Sequence, residues 1–368
     1  MATVDDSPLH NLAREVESPD IFTPPGTDSG TMPNLRFSFS DAHNRRTDGG
    51  WAREVTQREL PIATTLAGVN MHLHPGGVRE LHWHKEAEWG YLLAGKARLT
   101  AVDELGRSFV GDVGVGDIWL FPAGIPHSIQ GLDDGCEFLL VFDNGSFSEN
   151  ETFLVTDWLS HVPRSLLAKN LGVDERELAG LPEKERWIFA ADVPGPLDAD
   201  RVPNPQGAVS DDHFVHRLMK QEPIDTGAGT ARIVDSSNFP VATTIAAALV
   251  EVAPGAMREF HWHPNTDEWQ YFIEGRARMT VFDSPGKART FDYETGDVGY
   301  VPFATGHYVQ NTGDTTLRFL ELFRSDRFAD VSLNQWLALA PHKLVSDHLN
   351  VSEALPAKID RTKRPVLR

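Results

Sequence analysis

The chain has 368 residues, 40% of them apolar and 24% charged, the balance of a soluble globular protein with room for two domains of ordinary size. Its net charge of −19, from 34 basic and 53 acidic residues with no basic stripe, argues against a nucleic-acid partner. The single cysteine, Cys136, excludes an intrachain disulfide, and no apolar run is long enough to span a bilayer.

In chain order, residues 1–20 are polar and acidic and lack the apolar core of a signal peptide, so a cytoplasmic location is expected. Pro24-Pro25-Gly26-Thr27-Asp28-Ser29-Gly30 is turn chemistry, and residues 1–45 read as an N-terminal arm, wrapped on a neighbour or loose. Arg36-Phe37-Ser38-Phe39-Ser40 alternates as a strand does. Residues 51–55 and 69–73 read as further strands, and Pro75-Gly76-Gly77 turns into a strand carrying His82. Tyr91-Leu92-Leu93, a turn at Gly95, a strand over 97–102, a turn over 103–106 and a strand over 118–121 follow. Short strands with Gly/Pro turns predict an antiparallel, all-β sandwich or barrel. A helical tail is expected over 157–170. A short helix capped by Asp174 then opens a Pro-rich connection reaching about residue 212.

The order repeats from near Phe214. Pro61-Ile62-Ala63-Thr64-Thr65 matches Pro240-Val241-Ala242-Thr243-Thr244, and Gly95-Lys96-Ala97-Arg98 matches Gly275-Arg276-Ala277-Arg278. Gly116-Asp117 matches Gly296-Asp297, and a second helical tail falls over 333–349. The chain therefore divides into the arm, a first domain with its connection over 46–222, and a second domain with its tail over 223–368. Two repeats are too few for a solenoid and suit a duplicated pair of barrels.

Chemistry concentrates in His82-Trp83-His84-Lys85-Glu86-Ala87-Glu88, completed by His127, and in His261-Trp262-His263-Pro264-Asn265-Thr266-Asp267-Glu268, completed by His307. On a strand, side chains alternate faces, so His82 and His84 point one way and Trp83 the other. An isolated His-x-His is usually a surface pair. Here the four-residue set recurs with a nearly constant offset of 179 or 180 positions, which coincidence explains poorly. Three imidazoles and a carboxylate, with no thiolate, leave Mn, Fe, Zn, Co or Ni open. Four such ligands would fill a tetrahedral zinc but leave two positions on an octahedral ion, so an enzyme favours Mn or Fe. Trp83 and Trp262, facing away, read as core or interface packing.

The pattern Gly76-x5-His82-x-His84-x3-Glu88-x6-Gly95, then Gly116-x5-Pro122-x4-His127, resembles the two cupin motifs, and Gly255 to Gly275 with Gly296 to His307 repeats them. Asn311 matches the family motif, whereas Gly131 departs from it. From about Pro33 onward the chain resembles the bicupin oxalate decarboxylases. Arg79-Glu80-Leu81-His82-Trp83-His84, Ser146-Phe147-Ser148-Glu149-Asn150 and Gly299-Tyr300-Val301-Pro302-Phe303 carry that likeness.

The resemblance implies two tandem cupin (double-stranded β-helix, or jelly-roll) barrels with short helical tails. It also implies two manganese ions per chain, a requirement for dioxygen, and cleavage of oxalate to formate and carbon dioxide by a trimer or hexamer. Metal ligands would be His82, His84, Glu88 and His127 in the first barrel and His261, His263, Glu268 and His307 in the second. Arg79 would hold the substrate's distal carboxylate, although strict alternation from His82 turns it away from the metal. Glu149, on a lid over 148–152, would protonate the carbon left after carbon dioxide departs, although a loop acid is ordinarily solvated. Arg258 and Glu321 would serve the second metal in a structural or secondary role. Glu151 departs from the bacterial lid pattern. The competing readings are an oxalate oxidase yielding peroxide, a non-catalytic metal-binding bicupin, and another metal-dependent cupin such as an isomerase or dioxygenase.

Overall fold

The structure is a computed structural model describing residues 11–368; the part of the expected arm over residues 1–10 lies outside the described residues. The chain is predominantly β and forms two compact units. Among the described residues no helix is long and apolar enough to cross a membrane.

One unit comprises Asp41–Gln221 and Asp235–Ile245. Its heart is the pairing of two long antiparallel strands, Glu88–Val102 and His127–Phe142. Alternation along Ala67–Leu73 sends Val69, Met71 and Leu73 into a core with Leu140, Phe142 and Trp119. The turn expected at Gly95 is instead a bulge inside one continuous strand, with register shifts on either side of it. Gly95 has φ 72°, and a Cβ there would lie 2.0 Å from the Gly135 carbonyl oxygen, so only glycine fits.

The other unit comprises the described residues up to Ser40, with Glu222–Val234 and Ala246–Arg368. It packs a seven-stranded sheet and a six-stranded sheet, both antiparallel. In its first sheet Glu268–Glu274 lies between Asp297–Val301 and Leu317–Phe323. In the second, Met257–Trp262 pairs with Gly306–Asn311 and, at its start, with Val366–Leu367.

These units differ from the contiguous boundaries expected at residues 45 and 222. Arg36–Ser38 pairs with Asp297–Val301, and Asp28 accepts from Thr290 N at 3.0 Å, so the arm completes the sheet of the second repeat's own unit. Val215–His216, where the second repeat opens, instead pairs with Ile118–Phe121 in the first. A two- or three-residue strand takes its place from the sheet edge it satisfies, which proximity in sequence does not fix. The arm also carries two short helices, Leu12–Glu17 and Pro19–Phe22, that the sequence reading did not include.

Each helical tail is two helices, not one: Val155–Ser160 and Arg164–Leu171, then Leu333–Leu339 and His342–Leu349. Pro163 and Pro341 make the breaks, because proline lacks the N–H and crowds the preceding turn. Asp174 does act as a cap, accepting from Arg176 N at 2.9 Å, but the turn it caps, Glu175–Leu178, is a 3-10 helix.

Two candidate metal centres

His82 is the penultimate residue of the strand Val78–Trp83, His84 follows that strand, Glu88 opens the next, and His127 opens the long return strand directly opposite His82. The ligating atoms of these four buried side chains lie within 4.8 Å of one another, and those of His261, His263, Glu268 and His307 do the same in the second unit.

Backbone carbonyls orient every ring. Nδ1 of His82, His84 and His127 lies 2.6, 2.7 and 2.8 Å from the carbonyl oxygens of Glu80, Glu86 and Ile125. In the second centre the partners are Glu259, Ala329 and Thr305, at 2.7, 2.8 and 3.1 Å. A carbonyl can only accept, so Nδ1 holds the proton and each Nε2 turns a lone pair inward. Burial, reinforced by nearby positive groups, pushes His82 and His261 well below the usual imidazole range, so both rings are neutral. Burial works against ionising Glu88 and Glu268, but His127 and His84 at the first, and His307 and His263 at the second, outweigh it when their Nε2 carries a proton in place of a cation. Both carboxyls are held below their ordinary range.

The donor set fits a cation. In the second centre Nε2 of His261, His263 and His307 and Oε2 of Glu268 are all buried without a hydrogen-bond partner. Four converging orphan acceptors are costly unless a positive ion satisfies them. Two per-barrel N/O sets of this kind suit manganese or iron.

The outer oxygen of each carboxylate is fixed by a donor from a different strand, the neighbouring one in the first centre and the carboxylate's own in the second. Trp119 Nε1 donates to Glu88 Oε1 at 3.0 Å, whereas Gln270 Nε2 donates to Glu268 Oε1 at 2.7 Å. Trp119 faces Gly90 across the ladder, and Gln270 faces Gly299. Each pair has one large donor and one glycine, with the roles exchanged between repeats. Laying the two repeats side by side would have exposed this exchange; reading each alone did not.

Alternation pointed Arg79 away from the metal, and the structure turns it inward. A bulge between Arg79 and His82 resets the alternation, and the same shift lies between Arg258 and His261. Both arginines are 1% exposed. Arg79 Nη1 donates to the Trp187 carbonyl at 3.3 Å, and Nη2 lies 3.0 Å from Glu149 Oε2 without directing an N–H at it. Its Nε and Nη2 thus remain as buried donors without a hydrogen bond. Arg258 is committed: Nε donates to Glu321 Oε1 at 3.0 Å and Nη2 to Asp330 Oδ2 at 2.8 Å.

The stretch over 148–152 is folded down. Ser148 caps a 3-10 turn, Glu149–Glu151, in which Glu149 is buried while Asn150 and Glu151 are exposed. Glu149 Oε2 accepts from Trp187 Nε1 at 3.0 Å, and Glu149 N donates to Glu54 Oε1 at 3.1 Å. Burial pushes the Glu54 carboxyl up, and the Glu149 charge adds to it. Arg45 donates to Asn150 Oδ1 at 3.2 Å and lies over the Trp187 ring at 3.9 Å. Glu80 anchors the surroundings: its Oε2 accepts from Arg186 N and Trp187 N at 2.8 and 2.7 Å. Its Oε1 accepts from Thr156 N and Oγ1 at 3.1 and 2.9 Å. No local sequence signal distinguished Trp187 or Asp330, and Glu80 stood in the Arg79–His84 stretch without a role of its own.

The second centre has a different outer shell. Glu321 is fully buried, and burial raises its carboxyl although Arg258 works against this. A cavity of about 370 Å³ is lined by Arg258, Glu321, Asp330 and Lys363 together with apolar side chains such as Ile233 and Val250.

Residues 37–179 and 216–355 each match the family model described as Cupin. Over 358 residues the chain is 58% identical to the oxalate decarboxylase OxdC of Bacillus subtilis (strain 168), covering 97% of this chain and 93% of that protein. It is 42% identical over 348 residues to a probable oxalate decarboxylase of Arthroderma benhamiae, covering 93% and 85%. A solved structure concerned with the Mn(II) centers of the Bacillus subtilis oxalate decarboxylase superposes with a TM-score of 0.96 at 57% identity, covering 100% of this chain and 97% of that one.

Proposed function

We propose a reaction from one premise: the chain belongs to the cupin family, as a two-barrel member of the oxalate decarboxylases. The reaction is cleavage of oxalate to formate and carbon dioxide at the first centre. The observation that carries this reading is Arg79, a buried guanidinium with two donors lacking hydrogen bonds, beside a lid acid already folded down upon it.

Manganese held by His82, His84, Glu88 and His127 would supply a cation that neutralises the substrate dianion and a one-electron redox partner, with dioxygen as co-catalyst. Arg79 binds the distal carboxylate of oxalate through Nε and Nη2 as a planar fork, in place of its present contact with Glu149. Glu149 is the acid. The C–C bond of the oxalate monoanion breaks, its electron pair ends in the C–H bond of formate, and the proton completing that bond comes from Glu149. The proton shed by oxalate on activation restores the acid, so the net reaction consumes no oxidant. The closed 3-10 turn keeps water away while this happens. At the second centre Arg258 is tied to Glu321 and Asp330, which supports a structural or electronic role for that metal and a secondary one for Arg258 and Glu321.

The same reading places the enzyme in the cytoplasm as a trimer or hexamer. Exposed Trp158, Leu166, Trp336 and Leu344 on the helical tails support the self-association. The test is manganese-loaded protein with oxalate at mildly acid pH under air, with formate and peroxide quantified together. Formate matching the oxalate consumed, and lost in Glu149→Ala, is expected. Peroxide as the main product would make the protein an oxidase, and the absence of both from metal-loaded protein would remove oxalate as the substrate.

A further inference from the structure

We infer that Trp187 is a positioning residue that aims the Glu149 carboxyl, and so sets how much substrate leaves as formate and how much is lost to peroxide. This rests on the reading of Glu149 as the acid.

Trp187 is 1% exposed and has φ 57°, a left-handed conformation that a bulky residue adopts only when its surroundings impose it. The surroundings here do so from every side. Its N–H donates to Glu80 Oε2 at 2.7 Å, and its carbonyl accepts from Glu80 N at 3.1 Å and Arg79 Nη1 at 3.3 Å. The next residue, Ile188, is the ladder partner of Arg79. Arg45 covers the indole face. With the backbone fixed in this way, the indole N–H reaches Glu149 Oε2 at 3.0 Å.

One residue therefore touches both groups on which the reaction depends. Its backbone holds the arginine and its side chain holds the acid. The indole occupies Oε2, which leaves Oε1 as the oxygen to carry and deliver the proton.

The second centre serves as an internal control. Pro365 fills the same backbone role, accepting from Glu259 N at 3.0 Å and Arg258 Nη1 at 3.5 Å. It has no side-chain donor, and that centre has no Ser-Glu-Asn lid. The indole donor thus occurs where the lid acid occurs, while the carbonyl contacts to the arginine and to the residue after it occur in both places. Backbone anchoring alone does not call for a tryptophan.

The test compares manganese-loaded Trp187→Phe, Glu149→Gln and the double variant, measuring kcat and KM for formate production and peroxide formed per oxalate consumed. Phenylalanine keeps the backbone contacts to Arg79 and Glu80 and an aromatic face for Arg45, and removes the N–H donor together with one ring of the buried indole. In Trp187→Phe, kcat for formate is expected to fall about tenfold with KM within about twofold, the scale of losing one hydrogen bond to a charged group. The peroxide share should rise, and the substitution should change nothing further in the Glu149→Gln background. A structural role alone would not shift the product ratio at constant KM. Unaltered kcat and peroxide share in Trp187→Phe, with formate abolished in Glu149→Gln, would overturn the positioning role and leave the acid in place. Full formate production by Glu149→Gln would remove the acid and the positioning role with it. Should phenylalanine prevent folding, Arg45→Met, which strips the cation from the indole face, must raise the peroxide share; an unchanged ratio there overturns the inference.

Discussion

Glu80→Gln probes how the surroundings of the first centre are held. All of the partners of the Glu80 carboxylate are donors: Arg186 N, Trp187 N, Thr156 N and Thr156 Oγ1. Glutamine has the same shape but places an NH2 against two of them. Its better orientation faces Thr156, whose hydroxyl can turn to accept, while Thr156 N is left unsatisfied. The remaining bonds lose their charge assistance. With hydrogen bonds to a charged group worth about 1.5–3 kcal/mol each, the combined loss is about 3 kcal/mol. For a unit of this size that corresponds to a fall in Tm of roughly 6–12 °C. Thermal unfolding followed by circular dichroism, at fixed manganese, measures it. A shift of less than about 2 °C would refute the reasoning, because it would mean that the four contacts contribute no more than water does. Both oxygens anchor segments packed around Trp187, so kcat for formate should fall in the same variant.

Gly90→Ala would put a Cβ 2.0 Å from the Trp119 ring. It is expected to cost about 1–3 kcal/mol and to displace the donor on Glu88, lowering manganese retained after dialysis against a chelator at the first centre only. Gly299→Ala, whose Cβ meets Gln270 Oε1 at 2.6 Å, should spare the first centre and weaken the second, and equal losses from both centres in either variant would contradict this. Burial opposes ionisation of Asp330, but Arg258 and Lys363 outweigh it and hold its pKa below the ordinary 3.8. A depressed carboxyl stabilises the fold above its unfolded pKa and loses that contribution as pH falls through the folded one. The urea-midpoint gap between the unaltered protein and Asp330→Asn should therefore be wide at pH 7 and shrink progressively as pH falls below the ordinary carboxyl range; a constant gap would count against the ion pair. Glu151 is exposed in the turn Glu149–Glu151, so Glu151→Ser should change kcat for formate by less than about twofold, as surface substitutions usually do. A larger change would mean that Glu151 takes part in the reaction.

Local periodicity carried the ligand sets, because alternation along a strand fixes which side chains share a face. His82 and His84 needed nothing more than that, and His127 followed from the repeat. Arg79 was out of reach of the same logic, since one inserted residue at the bulge reverses every face beyond it. The composition of Arg79-Glu80-Leu81 does not announce a bulge. Gly95 read as a turn because glycine serves a turn and a bulge equally well; the unbroken pairing of Glu88–Val102 with a distant strand decides between them. Pro163 and Pro341 were visible breaks within the helical tails that the longer helical pattern obscured. Trp187 and Asp330 lie 38 and 72 residues from the Glu149 and Arg258 they serve, a separation over which only the folded chain carries information.

The pairing of Arg36–Ser38 with Asp297–Val301 bears on how the protein is made. The first of these strands leaves the ribosome about 260 residues before its partner, a wait of roughly 13–50 s at 5–20 residues per second. For that interval the unit built around the first repeat can fold nearly alone, needing only Asp235–Ile245 to be whole. Residues 11–40 must meanwhile stay unpaired without sticking to it or to another nascent chain. Their four prolines and four serines resist such mispairing, and slower translation before residue 297 would lengthen the exposure.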